Sequence, residues 1–352
     1  METEAENPQD KKDDDDCPKH DAVLLANTSA IVCRRPPPFV RRCVWYGAAE
    51  RDEVAISQGY ISLGWGATLR IHMPSSSRSL RAIAIQGERG SNSHMAALEM
   101  LGEVEIVPCS VSAEVVRAVL HREVDGAVLP IENSLHGSVA EHYDLLLENP
   151  VRIDRESLLR IRHNLMVVPG VRLEEVRSVL SHPVALSQCR RYLAALEGAH
   201  ALPFYDTAGS VKHIMAEGLR DTAGVAPALA AKVYGAEILV AGIEDHVENY
   251  TRFHLLHRAD APRPEGLAPP DKLSVAFAIQ HRPGTLVAAL QRLAEAGVDL
   301  TKIESRPVPG KPWEYVFYVD FRFADEASAD SALLALKREC SMVKELGRYA
   351  AA

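Results

Sequence analysis

The stretch "GAVLPIENSLHGSV", residues 126–139, opens as an apolar run and turns polar after Ile131, at Glu132, Asn133 and Ser134. A short apolar run bounded by polar turn residues reads as a strand buried on both faces. The amphipathic "SVAEHYDLLLE" follows it as a helix. The same alternation recurs along the chain. "RAIAIQ" leads to "SHMAALEML", "VRSVLSH" leads to "PVALSQCRRYLAALEG", and "SVKHIMAEGL" leads to the short strand "AGVAP". Apolar strands alternating with amphipathic helices predict an α/β fold with parallel or mixed sheets. Ligands in such folds gather beyond the carboxyl ends of the strands, so the polar residues there are the candidates for function.

Composition narrows the class. The chain has 352 residues, 47% of them hydrophobic, and a formal net charge of -9. That length predicts about two domains. The acidic balance argues against nucleic acid and against an anionic membrane surface. No apolar run reaches the roughly 20 residues of a spanning helix. The six cysteines are scattered with no C-x-x-C pair, so neither a zinc site nor a disulfide framework is expected. The N-terminus has no apolar signal region, and a cytoplasmic protein with reduced thiols is the expectation.

Residues 1–79 differ from the rest, with "DKKDDDDC", "RRPPPFVRR" and "MPSSSRSLR". They read as a low-order extension, or as a leader ahead of a true start at Met73. Residues 80–258 carry the alternating pattern. "RADAPRPEGLAPPD" (258–271) is a proline- and alanine-rich linker, placed at 259–271. Residues 272–352 then run strand, helix, strand, strand, helix, strand, the ferredoxin-like βαββαβ order.

At the strand ends each polar group has two readings. In "AIQGERGSNSH", Ser93 is an N-cap, or Ser91 and Ser93 face a small anion at a helix N-terminus. Asn133 and Ser134 cap the next helix or donate to a bound carboxylate. Ser181 is an N-cap or a ligand contact, His182 a polar core residue, and Gln188 a surface or cleft residue. In "NYTRF" (249–253), alternation sets Thr251 and Phe253 on one face and Arg252 on the other. A buried Arg252 needs carboxylates, its own or a ligand's. His136, His142 and His246 lack metal-ligand spacing, and no role is assigned to them.

In this order, "PIENSLHGSV", "SHPVALSQC", "YDTAGS", "GIED…NYTRF", "RPGTLVAAL" and "KIESRP" resemble prephenate dehydratase with its C-terminal regulatory ACT domain. The resemblance implies a two-lobed, periplasmic-binding-protein-like catalytic domain followed by the ACT unit. It implies decarboxylating dehydration of prephenate to phenylpyruvate, with no cofactor and no metal. It carries Thr251, Glu132, Asn133 and Gln188 over as catalytic, and Arg252, Phe253, Ser181, Ser134, Ser91, Ser93 and Thr207 as substrate-binding. It implies L-phenylalanine as effector at Gly284, Thr285, Leu286, Val287, Glu304, Ser305, Arg306 and Pro307, in a homodimer or homotetramer. The family's first motif usually ends on an acidic residue, where this chain has His94. No Rossmann fingerprint accompanies these motifs, and residues 1–79 show no helical heptads of a fused mutase. Arogenate dehydratase, with the same chemistry on the amino analogue, and a non-catalytic amino-acid sensor are the alternatives.

Overall fold

In the computed structural model the chain forms two compact units, Met1–Ser79 and Leu80–Ala352. The structure describes residues 81–308 and 314–352, and upstream of them only the backbone of six short strands between Ala22 and Arg70. The expectations for residues 1–79, an extension or a start at Met73, lie outside the described residues.

Two α/β lobes make up the region to Arg258. The first holds strands β1 (Ala82–Gln86), β2 (Glu105–Cys109), β3 (Gly126–Asn133), the short β4 (Gly137–Ser138) and β5 (Val151–Arg160). Its helices are α1 (Asn92–Leu101), α2 (Ser112–Leu120) and α3 (Ala140–Glu148). The second lobe holds β6 (Asn164–Val167), β7 (Ser178–Ser181), β8 (His200–Pro203), β9 (Thr222–Ala226) and β10 (Glu237–Ala241). Its helices are α4 (Pro183–Ser187), α5 (Arg190–Ala195), α6 (Thr207–Glu217) and α7 (Ala228–Tyr234). The stretch that reads as one helix from Pro183 is thus two short ones, broken at Gln188 and Cys189. The chain then returns to the first lobe as β11 (Tyr250–Arg258).

The first sheet has the order β5-β11-β3-β1-β2 and the second β8-β7-β9-β6-β10. Within the first, β1 pairs parallel with β2 and β3, whereas β11 runs antiparallel to both β3 and β5. Both sheets are therefore mixed, as the alternation of elements predicts. The two chain crossings between lobes are bonded to each other: Ile161 N–H donates to Asn249 O and Ile243 N–H to His163 O.

The last segment forms β12 (Lys272–Ala278), α8 (Thr285–Glu295), β13 (Asp299–Pro307), β14 (Tyr315–Arg322), α9 (Glu326–Glu339) and β15 (Met342–Tyr349). Its sheet order is β13-β14-β12-β15, the ferredoxin-like arrangement. One face packs α8 and α9 onto Leu273, Phe277 and Phe321. The other face joins the first lobe's core through Ala276, Tyr318, Leu346 and Tyr349. At this joint a Cβ on Gly347 would overlap the backbone of Ile153, so only glycine permits the approach. The long strand β5 is not evident from the sequence pattern. It carries Asp154, Glu156 and Ser157, all buried, and a bulge between Ile153 and Arg155 breaks its alternation.

Candidate active site

A cavity of about 880 Å³ lies between the two lobes. Strands β3 and β11 build its floor. They pair antiparallel with Asn133 opposite Thr251 and Glu132 opposite Arg252. Successive residues of a strand point to opposite faces. Asn133, Thr251 and Phe253 accordingly line the cavity, and Glu132 and Arg252 do not.

Asn133 is fixed from both ends. Its Oδ1 accepts the backbone N–H groups of Leu135 and His136, each at 3.0 Å, which sets the amide's orientation. Its Nδ2 donates to Thr251 Oγ1 at 3.0 Å and to Asn249 Oδ1 at 2.7 Å. Thr251 Oγ1 thus serves as an acceptor to Asn133, which leaves its own proton to be donated.

Gln188 closes the opposite wall, at the carboxyl end of α4. Its Oε1 lies 2.7 Å from His163 Nε2, and its Nε2 lies 3.1 Å from His136 Nδ1. His163 is buried, and burial holds its imidazole below the usual value, opposed by the hydrogen bond to Gln188. A neutral His163 donates from Nε2, and its Nδ1 has no partner.

Electrostatics come from helix ends. Among the described residues, no lysine or arginine lines the cavity. Instead α1 begins at the N-cap Ser91 and α6 at Asp206, and both caps are cavity residues. Backbone N–H groups and the positive end of the helix dipole favour anions there. Ser91, Ser93 and Thr207 line the same surface. The cap of α1 is therefore Ser91 rather than Ser93. His182, expected in the core, is instead exposed at the cavity edge and caps the short α4. His94, where the resemblance leads to an acidic residue, accepts Gly90 N–H at its Nδ1 at 2.9 Å.

Two carboxylates also line the cavity. Asp206 caps α6 by accepting Gly209 N–H at 2.7 Å. Burial raises its carboxyl pKa, opposed by that cap. Glu88, on the first lobe, bonds Tyr205 Oη at 2.9 Å and Lys212 Nζ at 3.0 Å on the second.

Four expected site residues stand elsewhere. Ser181 is fully buried, and its hydroxyl donates to Val225 O at 2.6 Å, inside the second sheet. Ser134 Oγ accepts Tyr250 N–H at 3.0 Å and so ties the returning strand, outside the cavity. Glu132 and Arg252 face the C-terminal segment, where Arg252 pairs with Asp320 at 2.5 Å and Glu132 with Lys302 at 2.9 Å. Arg252 therefore meets the chain's own carboxylates, not a ligand's. Sequence reasoning missed His163, His136, Glu88 and Asn249. A lone histidine carries no periodic or spacing signal, and only the fold brings His163 and His136 to Gln188. Asp206 was within reach: "YDTAGS" has the Asp-Thr signature of an N-cap.

A second cavity, of about 270 Å³, lies in the C-terminal segment against Gly284, Thr285, Leu286 and Val287, with Tyr315 and Phe317. Glu304, Ser305, Arg306 and Pro307 are not among its walls. They lie on the edge strand β13, where Glu304 accepts from Ser138 at 2.7 Å and Arg306 pairs with Asp144 at 2.7 Å. Within one chain the two halves of the expected effector site do not meet.

Comparison with known proteins adds an independent line. Residues 83–261 match the family model described as prephenate dehydratase. Over 278 residues the chain is 42% identical to arogenate dehydratase/prephenate dehydratase 2, chloroplastic, of Arabidopsis thaliana, an alignment covering 76% of this chain and 72% of that protein. Among solved structures, GqqA, described as a novel type of quorum quenching acylase, aligns with a TM-score of 0.69 and 34% identity, over 77% of this chain and 98% of that one. Prephenate dehydratase of Arthrobacter aurescens in complex with L-Phe aligns with a TM-score of 0.69 and 29% identity, over 77% and 90%. Several Arabidopsis relatives are named as chloroplastic, which overturns the cytoplasmic expectation.

Proposed function

This chain belongs to the prephenate dehydratase family of carbon–oxygen lyases, and from that membership we propose that it removes carbon dioxide and water from a prephenate-type ring. In that reaction the ring carboxylate leaves as carbon dioxide. Its bonding pair enters the ring, the ring C–O bond breaks, and the departing hydroxide takes a proton. The product is aromatic, so the driving force is large, and the protein's task is to orient the substrate and assist the leaving group. Orientation alone can lower such a barrier by up to roughly 7–11 kcal/mol.

The observation that carries this reading is the Thr251 hydroxyl, held by Asn133 so that its proton is free to point at a leaving oxygen. Threonine is too weak an acid to ionise here, but a donated hydrogen bond stabilises charge as it develops. The N-terminal ends of α1 and α6, with Ser91, Ser93, Thr207 and Gln188, receive the substrate carboxylates. Phe253 packs against the ring.

Prephenate and L-arogenate undergo the same chemistry and differ in a keto group against an ammonium. Among the described residues Glu88 and Asp206 line the cavity, and no lysine or arginine does. Glu88 is answered by Lys212, so Asp206 is the carboxylate that opposes a dianion and suits a substrate also carrying an ammonium, and L-arogenate is the better substrate. Parallel assays with the two compounds test this. Higher kcat/KM with prephenate would reject the preference, and turnover of neither would reject the dehydratase reading. Membership of a lyase family sets aside the non-catalytic sensor.

L-phenylalanine is the effector of the C-terminal segment, which acts as an ACT domain. The second cavity sits at the start of α8, where Gly284, at φ 87°, turns the chain into the helix and exposes N–H groups for a carboxylate. Leu300 and Ile303, exposed on β13, support pairing with a second copy as a homodimer or homotetramer. Flat activity across millimolar L-phenylalanine would reject this regulation. The chloroplastic relatives support a plastid location.

A further inference from the structure

Next to Thr251, Arg252 turns away from the cavity into the joint with the C-terminal segment. It is buried there, and three carboxylates surround its guanidinium: Asp320 at 2.5 Å, Glu132 at 3.2 Å and Glu156 at 3.6 Å. Lys272 Nζ reaches Glu156 at 2.9 Å, and Lys302 Nζ reaches Glu132 at 2.9 Å. Ser274 Oγ holds the second oxygen of Asp320 at 2.6 Å. Arg252, Lys272 and Lys302 thus face Asp320, Glu132, Glu156 and, at 3.7 Å from Lys302, Glu304 in one joint. Burial works against the Arg252 charge, but Asp320, Tyr143 and Tyr349 together more than offset it, which keeps the guanidinium ionised. Removing one member of such a cluster leaves an uncompensated charge, so its geometry is stiff.

The strand register makes this joint part of the active site. Glu132 lies opposite Arg252 just as Asn133 lies opposite Thr251. Each of the two strands sends one residue into the cavity and its immediate neighbour into the joint. A third link runs beside them. Ser138, a cavity residue, donates to Glu304 at 2.7 Å and lies 3.0 Å from Lys302 Nζ. The C-terminal segment therefore grips the backbone on which the reacting groups stand. Displacing a reacting group by about 1 Å can cost two orders of magnitude in rate.

We propose that Arg252 is a positioning residue: clamped to Asp320, it fixes the strand that presents Thr251, and turnover thereby depends on the C-terminal segment. The proposal rests on the dehydratase reading. It assigns Arg252 no contact with substrate, since its charge is committed to Asp320, Glu132 and Glu156.

The test is steady-state kinetics of Arg252→Gln, Asp320→Asn and the double variant, with kcat normalised to folded protein by circular dichroism. Each single change is expected to lower kcat roughly tenfold with KM held within about twofold, the signature of displaced reacting groups rather than lost binding. The double variant should lose no more than Arg252→Gln alone, because the two residues act as one clamp. A large rise in KM at unchanged kcat in Arg252→Gln would make Arg252 a substrate ligand and overturn the proposal. Unchanged kcat in Asp320→Asn, or fully additive losses, would overturn it as well. Should Arg252→Gln fail to fold, Asp320→Asn decides alone, since Asp320 is outside the cavity. Wild-type protein inactive on both substrates would remove the dehydratase reading and this proposal with it.

Discussion

Asn133 Nδ2 donates to Thr251 Oγ1 across 3.0 Å, from a residue directly opposite it on the neighbouring antiparallel strand. The bond does more than join two strands. It commits the acceptor capacity of the threonine hydroxyl to a fixed amide, and so directs the remaining proton toward the cavity.

Replacing Asn133 with aspartate separates this role from folding. The new carboxylate keeps an oxygen for the Leu135 and His136 N–H groups but has no donor for Thr251. The hydroxyl proton is then drawn toward that carboxylate rather than toward substrate. Asn133→Asp should keep a native circular dichroism spectrum and lose at least about tenfold in kcat, within the range of a single proton-donation effect. Native turnover would show that the Asn133 amide is not needed.

Buried histidines make the fold sensitive to acid. Burial lowers the pKa of His142, His163 and His254. For a lowered histidine the unfolded chain takes up the proton first. Stability is therefore complete above the unfolded value of about 6.5 and is lost as pH falls from there through the folded values. His254 is the extreme case, with neither ring nitrogen hydrogen-bonded. Thermal melting should show Tm declining as pH is lowered from about 7 to about 5. His254→Leu should make that decline shallower. An equal or steeper decline in the variant would show that His254 does not contribute.

Gly347 tests the joint sterically. A methyl group at this position would collide with the carbonyl oxygen of Ile153. Gly347→Ala should destabilise the protein by about 1–3 kcal/mol or more, as overpacking does. It should also open the linker at residues 259–271 to proteolysis. Unchanged Tm and an unchanged cleavage pattern would mean that the joint yields without cost.

Much of the fold was legible because its strands are short apolar runs and its helices amphipathic. The cavity floor was legible for the same reason: alternation alone puts Thr251 and Phe253 on one face and Arg252 on the other. What alternation could not supply was the occupant of that other face. The partner of Arg252 is Asp320, 68 residues away on β14, and nothing local marks the pair. Strand β5 escaped notice because its polar residues are buried, Asp154 against His257, Glu156 against Lys272 and Ser157 against Glu99, inverting the usual pattern. Ser181 looked like a cleft residue since it ends a strand, but its hydroxyl turns inward to Val225 O. The cytoplasmic expectation rested on the lack of an apolar signal region and on scattered cysteines, features that do not separate cytoplasm from the chloroplast named for the relatives.

The hydroxyl of Thr251 is the centre of the account, and two substitutions isolate it. Thr251→Ser keeps the hydroxyl, and Thr251→Val keeps the shape without it. Single-turnover rates with L-arogenate and prephenate should stay within about tenfold of wild type for serine and fall by a further factor of roughly 10² or more for valine, with substrate affinity little changed. Equal rates in the serine and valine variants would contradict the account, because turnover would then owe nothing to a proton held at that position.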